Sequence, residues 1–253
     1  MSAPAASRPT LPEALAAVRD VHGWMTDAQA ARLFAAARRV GTTGRIVEIG
    51  SYRGRSAIVL AHGAAPGVEI VAIDPHAGND RGPQQWTGSA DEGEGDHRAF
   101  LANLERAGVA GRVRHVRRFS QEALDAVDGP LDAVYVDGAH GFAPASQDIE
   151  RWGGRVRPGG TLLIHDAFSS VGVTLAIGRL LVPGRRFRYL GRSGSLAEYR
   201  REDLGPGARL VSAVRQVGAL PWFARNLLVK AAIVARQPGI ARALGHRSGP
   251  WPY

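Results

Sequence analysis

The chain has no cysteine and a single lysine, and the missing residue types exclude several kinds of site. Without cysteine, a disulfide framework, thiolate metal ligands and a thiol nucleophile are all excluded. No apolar run approaches the roughly 18 residues that a membrane-spanning helix needs, because the longest, at 227–235, contains Lys230. Residues 1–10 lack a cationic stretch followed by an apolar segment, so we expect no signal peptide and a cytoplasmic protein.

Acidic residues are missing from the last part of the chain. The 32 basic and 23 acidic residues give a net charge of +9, and the dominance of arginine over lysine is typical of a bacterial, GC-rich genome. Residues 204–253 contain no acid and seven cations, which are Arg209, Arg215, Arg225, Lys230, Arg236, Arg242 and Arg247. The net charge therefore belongs mostly to this segment, where it permits binding to a polyanion.

The order of apolar segments predicts a doubly wound α/β fold. From residue 44 onward, short β-branched segments that are apolar on both faces alternate with helical segments, as in a buried parallel sheet. The predicted strands are 45–49, 68–73, 112–116, 131–136 and 161–164, followed by an antiparallel pair at 186–190 and 195–199. The predicted helices of this region are 55–62, 97–107, 121–127, 143–156 and 171–181. We predict a leader and N-terminal helices over 1–43, an α/β domain over 44–202 and a basic, largely helical C-terminal extension over 203–253.

The first predicted strand ends in a glycine-containing turn that suits a ligand. Gly50 and Gly54 lie between strand and helix, where glycine lets the backbone approach a bound group and the helix N-terminus attracts an anion. A dinucleotide-binding turn needs a glycine where Tyr52 stands, which disfavours a nicotinamide-dependent oxidoreductase. Glu48, two residues before Gly50, suits a ligand with an ammonium group.

A second acid follows the second predicted strand. Asp74 stands where a carboxylate binds the hydroxyls of a ribose in such folds. Together, Glu48 and Asp74 indicate a ligand with an amino acid at one end and a ribose at the other. S-adenosylmethionine has both groups, and we predict it as the cofactor.

Two further motifs follow the fourth and fifth predicted strands. The sequence reads EIGSYRGRS at 48–56, DGAH at 137–140, and PGG at 158–160 leading to HD at 165–166. With these motifs, residues 44–200 resemble class I S-adenosylmethionine-dependent methyltransferases, and among them the methyltransferase-24-like O-methyltransferases. The resemblance implies a Rossmann-like, seven-stranded sheet whose last strand is antiparallel. It also implies a set of cofactor-binding residues, namely Glu48, Gly50, Ser51, Tyr52, Gly54, Ser56, Asp74, Ser120, Gln121 and Asp137.

Methylation of a hydroxyl requires that its proton be removed by a base or by a metal ion. We predict His140 as the base and Asp137 as its catalytic partner, because both follow the carboxyl end of a strand, where ligands bind in open α/β sheets. The alternative is that His140 only caps the next helix or bonds Asp137. Some related enzymes bind Mg²⁺ here, so Asp137 and Asp166 are candidate ligands. Ala167, in place of a frequent asparagine, argues against that metal.

Other residues near these motifs have a simpler interpretation. His165 and His76 are predicted to be structural, and Ser120 can serve as a helix N-cap instead of contacting adenine. We expect the methyl acceptor to be a small molecule or a glycan hydroxyl. The polar, glycine-rich loop 79–96, which contains Trp86, is predicted to be a lid over that acceptor.

The C-terminal extension contains an apolar helix, predicted at 221–236. It packs on its own domain or on a second subunit in a homo-oligomer, or it lies on an anionic membrane through residues 207–247. No nucleic-acid partner is expected, because the aromatic residues are not interleaved with the cations. The alternative function is that of a catalytically inactive protein with the cofactor fold that docks on a membrane or a protein partner through this helix.

Overall fold

Seven strands form a sheet at the centre of the fold, and helices cover both of its faces. The computed structural model describes residues 8–78 and 89–246. The strands are β1 (Arg45–Ile49), β2 (Glu69–Ile73), β3 (Val113–Val116), β4 (Leu131–Val136), β5 (Val156–Ile164), β6 (Phe187–Ser193) and β7 (Leu196–Arg201). Their order is β3-β2-β1-β4-β5-β7-β6, with β1 to β5 parallel and β7 antiparallel to both β5 and β6. The predicted fold class is confirmed.

Nine α-helices lie within the described residues. They are α1 (Leu11–Ala17), α2 (Asp27–Arg38), α3 (Arg55–Gly63), α4 (Ala90–Arg106), α5 (Phe142–Arg151), α6 (Val171–Leu180), α7 (Pro206–Val217), α8 (Leu220–Val234) and α9 (Pro238–Ala243).

Alternate residues of the central strands face two separate hydrophobic cores. In β1, Ile46 packs with Leu33 of α2 and Ile58 of α3, whereas Val47 belongs to the core that contains α5 and α6. Because both faces are buried, the strands carry no polar alternation, and this explains why they read as continuous apolar runs.

The N-terminal helices belong to the first of these cores. Ala14 and Leu33 are fully buried there, and Arg32 of α2 forms an ion pair of 2.6 Å with Glu198 of β7. Arg39 forms a second ion pair with the same carboxylate. Helix α2 and the residue after it are thus joined to β7, which is distant in the sequence.

Three segments differ from the sequence prediction. Helix α4, predicted to begin at His97, begins at Ala90, because Ser89 and Glu92 form a capping box. The predicted helix 121–127 consists instead of two single 3₁₀ turns, Ser120–Glu122 and Leu124–Ala126. The predicted lid over 79–96 is helical from Ala90, and its remainder up to residue 88, including Trp86, lies outside the described residues.

Candidate active site

A cavity of about 670 Å³ opens at the carboxyl ends of β1, β2, β4 and β5, where ligands bind in sheets of this kind. The predicted site residues that line it are Gly50, Ser51, Tyr52, Ser56, Asp74, Ser120, Gln121, Asp137, His140 and Asp166. Glu48 and Gly54 do not line it. Residues from four separate motifs therefore meet in one cavity.

Gly50 begins the turn between β1 and α3 and packs against the backbone of the neighbouring strand end. Its φ is +84°, and a Cβ atom would overlap the carbonyl oxygen of Asp137. The amide of Asp137 in turn donates to the carbonyl of Ile49 at 2.8 Å. Only glycine fits there, so the turn and the Asp137 loop are held in one geometry.

Asp74 holds the other side of the same turn. Its Oδ2 accepts 2.8 Å hydrogen bonds from the amides of Ser51 and Tyr52, and its Oδ1 accepts one from the amide of His76. The Nε2 of His76 lies 2.8 Å from the carbonyl oxygen of Tyr52. Tyr52 and His76 both have positive φ, at 45° and 48°, so this network stabilises backbone that few residues adopt. The structural role predicted for His76 agrees with these contacts.

Glu48 lies below the turn and is completely buried. Burial raises its pKa to about 8, against the opposing effect of the Ser56 and Ser51 hydroxyls. A buried carboxyl with such a pKa is mostly protonated at neutral pH. An adjacent cation would lower this pKa again.

A chain of acid and base side chains follows β4 and β5. The hydroxyl of Tyr135 donates to Oδ2 of Asp137 at 2.7 Å, and Nδ1 of His165 lies 3.2 Å from Oδ1 of the same residue. The same Nδ1 lies 3.4 Å from Oδ2 of Asp166, and that oxygen lies 2.8 Å from Nε2 of His140. The predicted base therefore pairs with Asp166.

The charges of these acid and base side chains reinforce one another. Burial alone would lower the pKa of His165, but the carboxylates of Asp137 and Asp166 outweigh it and raise the pKa well above its ordinary value. Burial would raise the pKa of Asp166, but His140 and His165 hold it well below its usual range. Nδ1 of His165 thus lies between two carboxylates that favour its protonated form, in agreement with the structural role predicted for it.

Ser120 also lines the cavity, and its hydroxyl donates to Oδ1 of Asp148 on α5 at 2.5 Å. The indole of Trp152 donates to the carbonyl of Ser120 at 3.1 Å. Burial raises the pKa of Asp148 to about 6, although the Ser120 hydroxyl opposes that effect. The sequence interpretation missed Asp148, which stands between Ala145 and Ile149 on the buried face of α5. A buried acid on an apolar helix face was the available signal.

Two walls of the cavity come from the ends of the chain. His22, Trp24 and Tyr52 form an aromatic cluster, with the Trp24 and Tyr52 rings 5.2 Å apart. From the other end, Leu227, Lys230 and Val234 of α8 line the cavity.

Helix α8 is held in place by the segment after β5. The Nζ of Lys230 donates to the carbonyl oxygen of Ser169 at 3.0 Å, and the side-chain amide of Asn226 donates to the carbonyl oxygen of Phe168 at 3.2 Å. The apolar helix thus packs on its own domain, the first of the alternatives considered for it.

Comparison with known proteins agrees with this geometry. Residues 47–167 match the family model described as a methyltransferase domain, methyltransferase family 24. This segment, slightly less than half of the chain, is therefore similar to a methyltransferase domain. The matched residues span the turn after β1, Asp74 and the acid–base chain after β4 and β5.

Solved structures share this fold over about three quarters of the chain. The cofactor-bound protein Rv0187 from MTB is 20% identical, with a TM-score of 0.53 over 76% of this chain and 89% of that chain. An O-methyltransferase from Bacillus cereus in complex with S-adenosylhomocysteine (SAH) is 19% identical, with a TM-score of 0.53 over 76% and 90%. The O-methyltransferase TomG from Streptomyces achromogenes, involved in tomaymycin synthesis and solved with S-adenosylmethionine, is 22% identical, with a TM-score of 0.50 over 77% and 89%.

Three side chains at this edge of the sheet are close enough to share a metal ion. Ligand atoms of Asp137, His140 and Asp166 lie within 4.8 Å of one another. These side chains fit Mg²⁺ poorly, because Nδ1 of His165 already lies 3.2 and 3.4 Å from the two carboxylates, and Mg²⁺ prefers oxygen to an imidazole. Mg²⁺ at Asp137 and Asp166 stays a prediction.

Proposed function

We propose that the chain is an S-adenosylmethionine-dependent O-methyltransferase that acts on a hydroxyl of a small molecule or glycan. The observation that carries this proposal is the 2.8 Å contact between His140 and Asp166 at the cavity. The side chain of His140 is 42% exposed, whereas that of Asp166 is 4% exposed. A buried carboxylate that orients an accessible imidazole is the arrangement that a general base requires.

The residues around the turn suit the predicted cofactor. Asp74 has acceptor capacity left for the ribose hydroxyls after its three backbone hydrogen bonds, because two carboxylate oxygens offer about four lone-pair sites. Glu48 favours an ammonium group near the turn, since a cation there would stabilise its ionised form. We assign Ser120, Gln121 and Asp148 to the adenine end.

The acceptor would react at the His140 end of the cavity. When bound, S-adenosylmethionine supplies a methyl group on a positively charged sulfur. The main task of the chain is to position the acceptor oxygen behind that methyl carbon, which lowers the barrier through orientation. The aromatic cluster of His22, Trp24 and Tyr52 offers apolar and polar contacts for an acceptor.

His140 would take the proton of the acceptor hydroxyl. When its Nε2 carries the hydrogen that faces Asp166, its Nδ1 keeps the lone pair that accepts a proton. Asp166 then stabilises the imidazolium that forms and fixes its tautomer, so we assign it as a positioning residue. Asp137, held by Tyr135 and His165, keeps the neighbouring loop in place and contributes negative charge near the sulfur.

Calorimetric titration with SAH and NAD tests the cofactor assignment. We expect SAH to bind and NAD not to bind. Asp74→Asn should weaken SAH binding roughly tenfold or more, since hydrogen bonds to a charged carboxylate contribute about 1.5–3 kcal/mol. This substitution keeps one oxygen acceptor for the turn, which alanine would remove. Binding of NAD but not SAH would contradict the proposal.

Release of SAH from S-adenosylmethionine, measured over a panel of hydroxyl acceptors, tests the base. We expect His140→Gln to lower kcat roughly 10²–10⁴-fold without changing SAH affinity. His246→Gln removes a histidine outside the cavity and should leave kcat unchanged. Asp166→Asn should lower kcat and alter its pH profile. A wild-type rate in His140→Gln would exclude the base role, and loss of activity in EDTA that Mg²⁺ restores would favour the metal instead.

A further inference from the structure

Helix α7 presents its apolar side to solvent and its polar side to the protein. Leu210, Val211, Val214 and Val217 are exposed, with Leu210 at 66% and Val214 at 60%, and we call these four residues the α7 stripe. They recur at helical spacing, so they lie along one side of the helix. A surface helix of a globular protein normally has the opposite orientation.

The buried polar side of α7 fixes this orientation. The hydroxyl of Ser212 accepts from the amide of Tyr189 at 3.1 Å, and Oε1 of Gln216 accepts from the hydroxyl of Tyr199 at 3.1 Å. Both α7 side chains are buried and both contacts reach the sheet. Because turning the helix over would leave these groups unpaired, the α7 stripe remains on the outside.

Helix α8 continues the exposed apolar character. Leu220 at its start and Leu228 in its middle are exposed as well. Single exposed apolar residues are common, but several along consecutive helices indicate an interaction surface.

The charges around the α7 stripe identify its partner as anionic. Residues 204–253 contain no acid, and Arg215 lies one turn from Val211 on the exposed surface. A symmetric interface would bring the acid-free segment of a second copy against its own counterpart, and Glu202 and Asp203, just before α7, are already paired with Arg188 and Arg201. Anionic lipid supplies both the apolar interior and the negative charge that this surface lacks.

Helices α7 and α8 are poorly suited to crossing a membrane. By length and composition, Pro206–Val234 is the one stretch in 8–78 and 89–246 that could span a membrane, although no uninterrupted apolar run is that long. It contains Arg209, Arg215, Arg225 and Lys230, which would be costly in the hydrocarbon layer. The contacts of Ser212 and Gln216 also keep the stretch on its domain.

We propose that the α7 stripe docks on an anionic lipid membrane. Arg215 faces the headgroups, and the stripe enters the boundary between headgroups and acyl chains. The docking surface is separate from the residues assigned to cofactor and base. Membrane docking can therefore be tested independently of the proposed function.

Flotation of the full chain with lipid vesicles tests this proposal. We compare vesicles of phosphatidylcholine with vesicles that also contain phosphatidylglycerol. The wild type should bind only the anionic vesicles, and more weakly at high salt. Leu210→Gln should weaken binding about tenfold, and Leu210→Gln combined with Val214→Gln about a hundredfold, because burying one such side chain is worth at least the 1.4 kcal/mol of a tenfold change.

A matched control separates the α7 stripe from exposed apolar residues in general. Leu101→Gln makes the same change on α4, where Leu101 is 46% exposed, and should leave vesicle binding unchanged. Each variant should keep the wild-type unfolding midpoint and SAH affinity. Equal binding by wild type and the double variant would overturn the proposal. So would sedimentation velocity that shows a dimer lost in Leu210→Gln, with no vesicle binding by the wild type.

Discussion

At the scale of single residues, Gly50 makes the strictest demand on the sequence. Gly50→Ala forces a left-handed backbone on alanine and places its Cβ against the Asp137 carbonyl, so we expect a loss of about 2–5 kcal/mol of unfolding free energy. Urea denaturation measures this loss. Gly95→Ala in α4 is the control. Apart from the backbone of its own helix, a Cβ added at Gly95 would meet no atom within 4 Å, so this substitution should stabilise the chain by about 0.5–1 kcal/mol. An equal effect of both changes would show that the close approach at Gly50 is unimportant.

Most cavity residues could be predicted because they follow the strands directly. Parallel strands end at one edge of the sheet, so Asp74, Asp137 and Asp166 had to converge once the strands were recognised. Pairing within that group was not predictable, since it depends on side-chain directions. His140 was expected to work with Asp137, and the structure pairs it with Asp166 instead.

Residues that reach the cavity from helices carried weaker signals. Asp148 and Lys230 lie on helices whose apolar patterns indicate packing and not a ligand. Their approach to the cavity depends on how α5 and α8 dock, which is a property of tertiary contacts.

At the scale of elements, the contact between β3 and α4 makes stability depend on pH. His115 of β3 packs with His76 and His97, whose ring centroids lie 5.0 and 5.1 Å from its own, and with Phe100. Burial and the two neighbouring histidines lower the pKa of His115 to about 4, against an opposing effect of Asp74. The unfolded chain, with a pKa near 6.5, therefore binds the proton more readily than the folded chain.

Stability should consequently fall as the pH falls from about 6.5 towards 4. We expect His115→Gln to flatten this part of the curve, because glutamine does not titrate. Urea denaturation at pH 7 and at pH 5 measures the effect. Identical slopes for wild type and variant would place the pH dependence in other groups.

The elements that sequence reasoning missed share a physical reason. The segment 203–253 was predicted only as largely helical, so neither the bounds of α7 nor the outward orientation of its apolar residues was predicted. The start of α4 was missed because Gly93 and Gly95 weaken the helical signal, although Ser89 and Glu92 form a capping box there. The strands were predicted well, since burial on both faces leaves a simple apolar signature.

At the scale of the whole molecule, both ends of the chain complete the site that the central domain begins. The N-terminal segment contributes Trp24, and α8 contributes Leu227 and Val234. The family match ends at residue 167, before α8 begins, so this cavity wall lies outside the matched segment. Acceptor selectivity is expected to depend on these added walls.

Helix α8 also has a consequence for how turnover would respond to lipid. It lines the cavity through Leu227 and Val234, and its Leu228 is exposed. For a docked enzyme with an acceptor held in the same bilayer, the relevant quantity is the acceptor's number per unit of membrane area. Adding inert anionic lipid at a constant amount of acceptor should slow methyl transfer, as measured by SAH release. A rate that follows only the bulk concentration would mean that the acceptor arrives from water.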